Sequence, residues 1–178
     1  MSENNPHQAG RHFLQIPGPS NVPDRVLRAI AQPTIDHRGP EFAQLTLGVL
    51  DKLSAVFNTK SPIFIFPASG TGGWESSLLN TLCPGDKVLA FETGHFATLW
   101  KNVATKLGLE VIWVEGDWRQ GIDAAVVQQH LLEDQSHQIK AVLAVHTETS
   151  SGATSDIAKI RKAIDAVDHP ALFMVDAV

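Results

Sequence analysis

Ser69-Gly70-Thr71-Gly72-Gly73-Trp74-Glu75 is the stretch on which the reading of this chain turns. It follows a short apolar run, Ile63-Phe64-Ile65-Phe66, and precedes an apolar-periodic segment from Trp74 to Leu82. That order reads as strand, glycine-rich turn and helix. The first N–H groups of such a helix have no intrahelical acceptor, and the macrodipole adds partial positive charge there. A phosphate fits that end. Ser69 and Thr71 can add hydroxyl donors, while Gly70, Gly72 and Gly73 let the backbone approach a ligand closely. The other reading is a tight turn that needs glycine for positive φ. Neither a Walker A loop nor G-x-G-x-x-G is present: no Gly-Lys-Ser/Thr follows, and Glu75 stands where a third glycine belongs.

Outward from this stretch the chain alternates. Strands are expected at Ile63–Phe66, Lys87–Phe91, Glu110–Val114, Ala141–Val145 and Leu172–Val175. Helices are expected at Gly73–Leu82, Phe96–Leu107, Asp123–Leu132 and Asp156–Val167, with Gly108 closing the second of them. The implied fold is α/β in three layers: a mainly parallel sheet with helices on both faces. Right-handed crossovers then collect the loops after the strands on one edge, where such sheets bind ligands. Upstream, residues 1–10 read as disordered. Three prolines in Pro17–Pro23 make a rigid arm, Asp24 caps a short helix ending near Ala31, and a longer helix runs from Pro40 to Phe57.

Composition excludes several classes. A net charge of −5 without a basic run argues against sequence-independent nucleic-acid binding. No apolar stretch approaches the ~20 residues of a membrane span. The polar start is not a signal peptide, and one cysteine, Cys83, leaves no intrachain disulfide. A cytoplasmic protein is expected, or a peroxisomal one in a eukaryote with its signal beyond Val178. Cys83 reads as a helix-end packing residue.

Polar residues gather where strands end. Phe96, after Glu92-Thr93-Gly94-His95, can stack on a flat heterocycle or sit in the core. His146-Thr147-Glu148-Thr149-Ser150-Ser151-Gly152 offers hydroxyls to a ligand oxygen, or is a solvated loop with Asp156 as the helix cap. Asp176, after Phe173-Met174-Val175, is costly to bury without a cation such as a metal or a protonated ring nitrogen; otherwise it is a helix cap. His95 and His146 lie at the ligand edge. His7, His12, His130, His137 and His169 read as surface or turn residues, and no pair has metal-site spacing.

As a set, these segments resemble a family. Pro17-Gly-Pro-Ser-Asn, Ser69-Gly-Thr-Gly-Gly-Trp-Glu, Pro84-Gly-Asp, Gly94-His-Phe, His146-Thr-Glu-Thr-Ser-Ser-Gly and Val175-Asp-Ala-Val occur in the order of the class V, fold-type I pyridoxal-phosphate aminotransferases. Gly116-Asp117-Trp118-Arg119-Gln120-Gly121 and Gly72-Gly73-Trp74-Glu75 favour the serine–glyoxylate branch of the alanine–glyoxylate group. The resemblance implies pyridoxal 5′-phosphate as cofactor, with Ser69, Gly70 and Thr71 at its phosphate. Phe96 would stack on its ring, where relatives often carry tryptophan, and Val178 would pack on the other face. Thr149 would lie near the 3′ oxygen. Asp176 would pair with the ring nitrogen, a catalytic part, since a protonated ring takes up electrons when the substrate's Cα proton leaves.

The implied activity is transfer of an amino group from serine or alanine to glyoxylate. Its partners are a small amino acid, a 2-oxo acid and a second subunit in a homodimer, with no nucleic acid and no membrane. Residues 1–22 would be a tail and arm, and 23–178 the first part of the cofactor-binding large domain. The family's Schiff-base lysine falls beyond Asp176, past Val178, and its substrate-carboxylate arginine is absent too. The expectation is therefore that this chain alone is inactive while a longer parent is a transaminase. The alternatives are a ureidoglycine–glyoxylate or phosphonate aminotransferase, a cysteine desulfurase-like enzyme, or a non-catalytic module that binds a phosphorylated ligand.

Overall fold

The computed structural model describes residues 13–178, so the expected disorder of residues 1–10 and the two histidines at positions 7 and 12 lie outside it. The chain divides into two units, Met1–Ile65 and Phe66–Val178. The first carries helices α1 (Asp24–Ile30) and α2 (Pro40–Val56). Pro23, not Asp24, takes the cap position of α1, and Asp24 opens its first turn. Pro40 starts α2, where its missing N–H costs nothing. Neither helix buries a side chain.

The second unit runs α3 (Gly70–Thr81), β1 (Lys87–Phe91), α4 (His95–Lys106), β2 (Glu110–Val114), α5 (Ala124–Glu133), β3 (Ile139–Val145), α6 (Ile157–Ala166) and β4 (Leu172–Asp176). The four strands pair in parallel in the order β2-β1-β3-β4. Strand alternation sends Val88, Ala90, Ala141, Leu143 and Val145 into one core with Trp74, Leu78, Ala97, Trp100 and Ala104 of α3 and α4. Leu89, Phe91, Val142 and Ala144 enter the other core, with Val127 and Leu131 of α5 and Ile160 and Ile164 of α6. The expected three layers are therefore present.

Two expectations change. Ile63–Phe66 is not a strand: it pairs with no other strand among the described residues, and Phe64, Ile65 and Phe66 are exposed. An apolar β-branched run becomes a strand only beside a neighbour that takes its backbone hydrogen bonds. The glycine stretch is also not a turn ahead of the helix. Gly70, Gly72 and Gly73 form the first turn of α3, and positive φ occurs at Gly85, Gly108 and Gly152 instead. Cys83 is exposed, so it is no packing residue. His169 is buried, against its reading as a surface residue.

The connections change direction at β1. From β1 the chain moves to β2 through α4; from β3 it moves to β4, on the opposite side, through α6. The loops after β1 and β3 thus diverge toward opposite faces and leave a crevice between adjacent strand ends.

Candidate active site

A groove of about 230 Å³ opens at that crevice. It is lined by Ser69, Gly70, Thr71 and Trp74 of the α3 end, Phe96 of α4, Val145 at the end of β3 with Thr147 and Thr149 beyond it, and Asp176 at the end of β4 with Val178 beyond it. All seven residues that the resemblance placed at the cofactor thus border one cavity. His95 and His146, placed at the same edge by sequence, are exposed and do not line it.

The helix ends around the groove differ in one respect. Glu148 accepts the N–H groups of Phe96 and Ala97 at the start of α4, at 3.2 and 3.0 Å. Asp123 caps α5 and Asp156 caps α6. Among the described residues the start of α3 has no side-chain cap, and its N–H bonds there run from Gly72 and Gly73 to the Ser69 carbonyl. Among the described residues the N–H groups of Gly70 and Thr71 meet no acceptor, and both residues line the groove. Unpaired N–H groups at a helix start attract an anion, and the neighbouring Ser69 and Thr71 hydroxyls are donors of the same kind. No carboxylate occupies that position to repel one.

Asp176 borders the same groove. As the last residue of β4 it pairs with Val145, and its carbonyl accepts the His146 N–H at 2.8 Å. Alternation along β4 puts it on the same face as Met174, which packs in the α3/α4 core. There Trp74 donates its indole N–H to Oδ2 at 3.0 Å, and the Val178 N–H donates to Oδ1 at 3.1 Å. A carboxylate has about four acceptor positions, so room remains for a donor in the groove.

The walls are set by Glu148, which sequence reading passed over. It is fully buried between Thr147 and Thr149. Besides the two α4 N–H groups, it accepts the Ser150 N–H at 3.1 Å and hydroxyl at 2.7 Å. Burial pushes its carboxyl up, but the Ser150 hydroxyl and the N–H groups of Ala97, Ser150 and Phe96 outweigh that and hold it below the ordinary glutamate range. One side chain thus ties the loop carrying Thr149 to the helix start carrying Phe96. Gly94 makes this possible: a Cβ there would collide with the Glu148 Cγ and stand 2.6 Å from the Ser150 Oγ. Signals for Glu148 were present in the sequence, as a glutamate beside an apolar strand and a glycine at a helix start. Neither identifies the other as its partner.

The sequence matches the family Aminotransferase class-V over residues 12–178. The chain belongs to the class V aminotransferases. It is 49% identical over 170 residues to a serine–glyoxylate aminotransferase of Methylorubrum extorquens, covering 95% of this chain and 42% of that protein. An L-aspartate–glyoxylate aminotransferase of Paracoccus denitrificans is 45% identical, over 92% of this chain and 41% of its own length. Among solved structures, a pyridoxamine–pyruvate aminotransferase of Mesorhizobium loti superposes with a TM-score of 0.87 at 25% identity, covering 97% of this chain and 43% of that one. The class V aminotransferase chain therefore spans about two-fifths of the length of these relatives, and that part is the α/β layer structure with the groove. Among the described residues no helix is long and apolar enough to cross a membrane.

Proposed function

We propose that this chain supplies the cofactor-phosphate and ring-nitrogen parts of a pyridoxal 5′-phosphate site in an aminotransferase that uses glyoxylate as amino acceptor and serine or alanine as donor. The observation that carries it is one groove with unpaired N–H groups of Gly70 and Thr71 on one side and the oriented Asp176 carboxylate on the other. The donor set fits a ligand with an anionic tail and a cationic ring. Ser69, Gly70 and Thr71 would hold the phosphate, where the helix dipole is worth about 0.3–1 kcal/mol per charge or more when partly buried. Asp176 would hold the ring N–H proton, and pairing with that cation offsets the cost of desolvating the carboxylate. Phe96 and Val178 would take the two ring faces, and the Thr149 hydroxyl would meet the ring's oxygen substituent. When bound, the cofactor's ring accepts electrons from a substrate carbon that loses its proton.

Glyoxylate as acceptor rests on two relatives, at 49% and 45% identity, whose names share that substrate. Their names differ in the donor, so L-aspartate is the second reading for the donor. The proposal includes a homodimer, supported by the two helices of the first unit, which bury no side chain of their own. The proposal places the protein in the cytoplasm.

The test has two parts. The chain is titrated with pyridoxal 5′-phosphate by equilibrium dialysis, with inorganic phosphate as competitor; no competition would remove the phosphate assignment. Protein extended to the length of its relatives is then offered serine, alanine and aspartate with glyoxylate. Glycine formation from serine or alanine is expected, and its absence with all three donors would overturn the activity.

A further inference from the structure

We propose that Trp74 is the positioning residue for Asp176, and that one face of α3 gauges both ends of the ligand in the groove. The inference rests on the reading of Asp176 as the partner of a ring-nitrogen donor. Trp74 is the one side chain that donates to Asp176 among the described residues, at 3.0 Å and from 102 positions away in sequence. The indole is itself immobilised: it is 7% exposed and stacks on Trp100 with centroids 5.6 Å apart and planes at 11°. An aspartate at a strand end turns readily about its last bond, which is a broad, roughly two-fold torsion. A buried indole N–H on Oδ2 and the Val178 N–H on Oδ1 remove that freedom.

The spacing gives this bond a second consequence. Gly70 and Trp74 stand four residues apart on α3, and both line the groove. Positions four apart share a helix face, separated by about 6 Å of rise. The anion end and the carboxylate end of the groove are therefore referenced to one rigid turn. A ligand is selected for the separation between its phosphate and its protonated ring nitrogen, not for either group alone.

Trp100 supplies the matched comparison, because its indole N–H is buried with no acceptor among the described residues. Trp74→Phe and Trp100→Phe each remove one indole N–H together with a similar ring volume from the stacked pair, and only the first N–H bonds Asp176. Dissociation constants of the full chain are measured for pyridoxal 5′-phosphate and for the analogue whose ring nitrogen is replaced by carbon. Trp74→Phe is expected to weaken pyridoxal 5′-phosphate roughly tenfold, the order of one hydrogen bond to a charged group. It is expected to weaken the carbon analogue severalfold less, and Trp100→Phe to leave the preference between the two ligands unchanged. Equal weakening of both ligands by Trp74→Phe, or of neither, overturns the role of Trp74. A wild-type chain that binds both ligands equally overturns the reading of Asp176 itself, and the inference with it. A second measurement spares Trp74: its indole N–H proton resonance should shift in Asp176→Asn and on adding pyridoxal 5′-phosphate, and no shift in either case overturns the proposal.

Discussion

Glu148 accepts the backbone N–H of Ala97 at 3.0 Å, joining residues 51 positions apart, and so seals the start of α4 with a carboxylate from the loop after β3. Replacing it exposes what it holds. Glu148→Ala leaves the N–H groups of Phe96 and Ala97 without acceptors in a buried place. The expected loss is about 2–4 kcal/mol, from unpaired buried donors and a vacated side-chain volume. Urea unfolding of wild type and variant measures it; a midpoint within error of wild type would refute the clamp.

Gly94 is coupled to that carboxylate. Gly94→Ala alone should destabilise by about 1–3 kcal/mol, because the new methyl meets Glu148 and Ser150 with no room to move. In a Glu148→Ala background the same methyl has space, so the two losses should sum to less than their separate values. A double-mutant cycle reads the difference, and strict additivity would separate the two residues.

Acid should undo the fold through carboxylates held below their ordinary range. For Asp134, burial pushes upward, but the N–H groups of Ile139 and Gln138 and the His169 ring outweigh it. Glu148 follows the same sign. A lowered folded-state pKa means that the unfolded chain binds more protons as the pH falls. The stabilisation is complete above the unfolded carboxylate values and is lost as the pH drops through the folded ones. The urea midpoint should hold near pH 7 and decline below about pH 4.5. Glu148→Gln should flatten that decline, and an unchanged acid slope would contradict the assignment.

Two glycines of α3 should separate stability from binding. A Cβ at either Gly70 or Gly73 meets no atom within 4 Å. Gly73→Ala should stabilise the chain by about 0.5–1 kcal/mol through helix propensity and leave pyridoxal 5′-phosphate affinity alone. Gly70 lines the groove, so Gly70→Ala should weaken that affinity severalfold without loss of stability. Thermal melts and ligand titration of both variants check this, and equal affinities would remove Gly70 from the site.

His169 gives the opposite combination. Its Nδ1 accepts the Ala171 N–H at 3.1 Å and its Nε2 lies 3.3 Å from Asp134 Oδ2, at the amino-terminal ends of β3 and β4. His169→Leu strands a buried N–H and removes one partner of a largely buried carboxylate, for an expected loss of about 2–3 kcal/mol. Affinity for pyridoxal 5′-phosphate should not change, because the groove lies at the other end of the strands. A large loss of affinity in folded variant would contradict that separation.

The alternation of apolar runs and helical periods in this chain is local, so the sequence by itself determined where β1, β2, β3 and β4 lie and placed helix starts within a few residues. It also put Ser69, Gly70, Thr71, Phe96, Thr149, Asp176 and Val178 at strand and helix ends, because those ends follow from the same periods. Tertiary structure decided the rest. Ile63–Phe66 has the composition of a strand, yet strand pairing needs a neighbour that composition cannot supply. Glu148 reads as one more polar loop residue until α4 delivers two N–H groups to it. Trp74 reads as core until β4 brings Asp176 within reach of its indole. Hydrogen bonds between residues 50 or 100 positions apart leave no periodic trace in a chain; they exist only once strand order has set which ends meet.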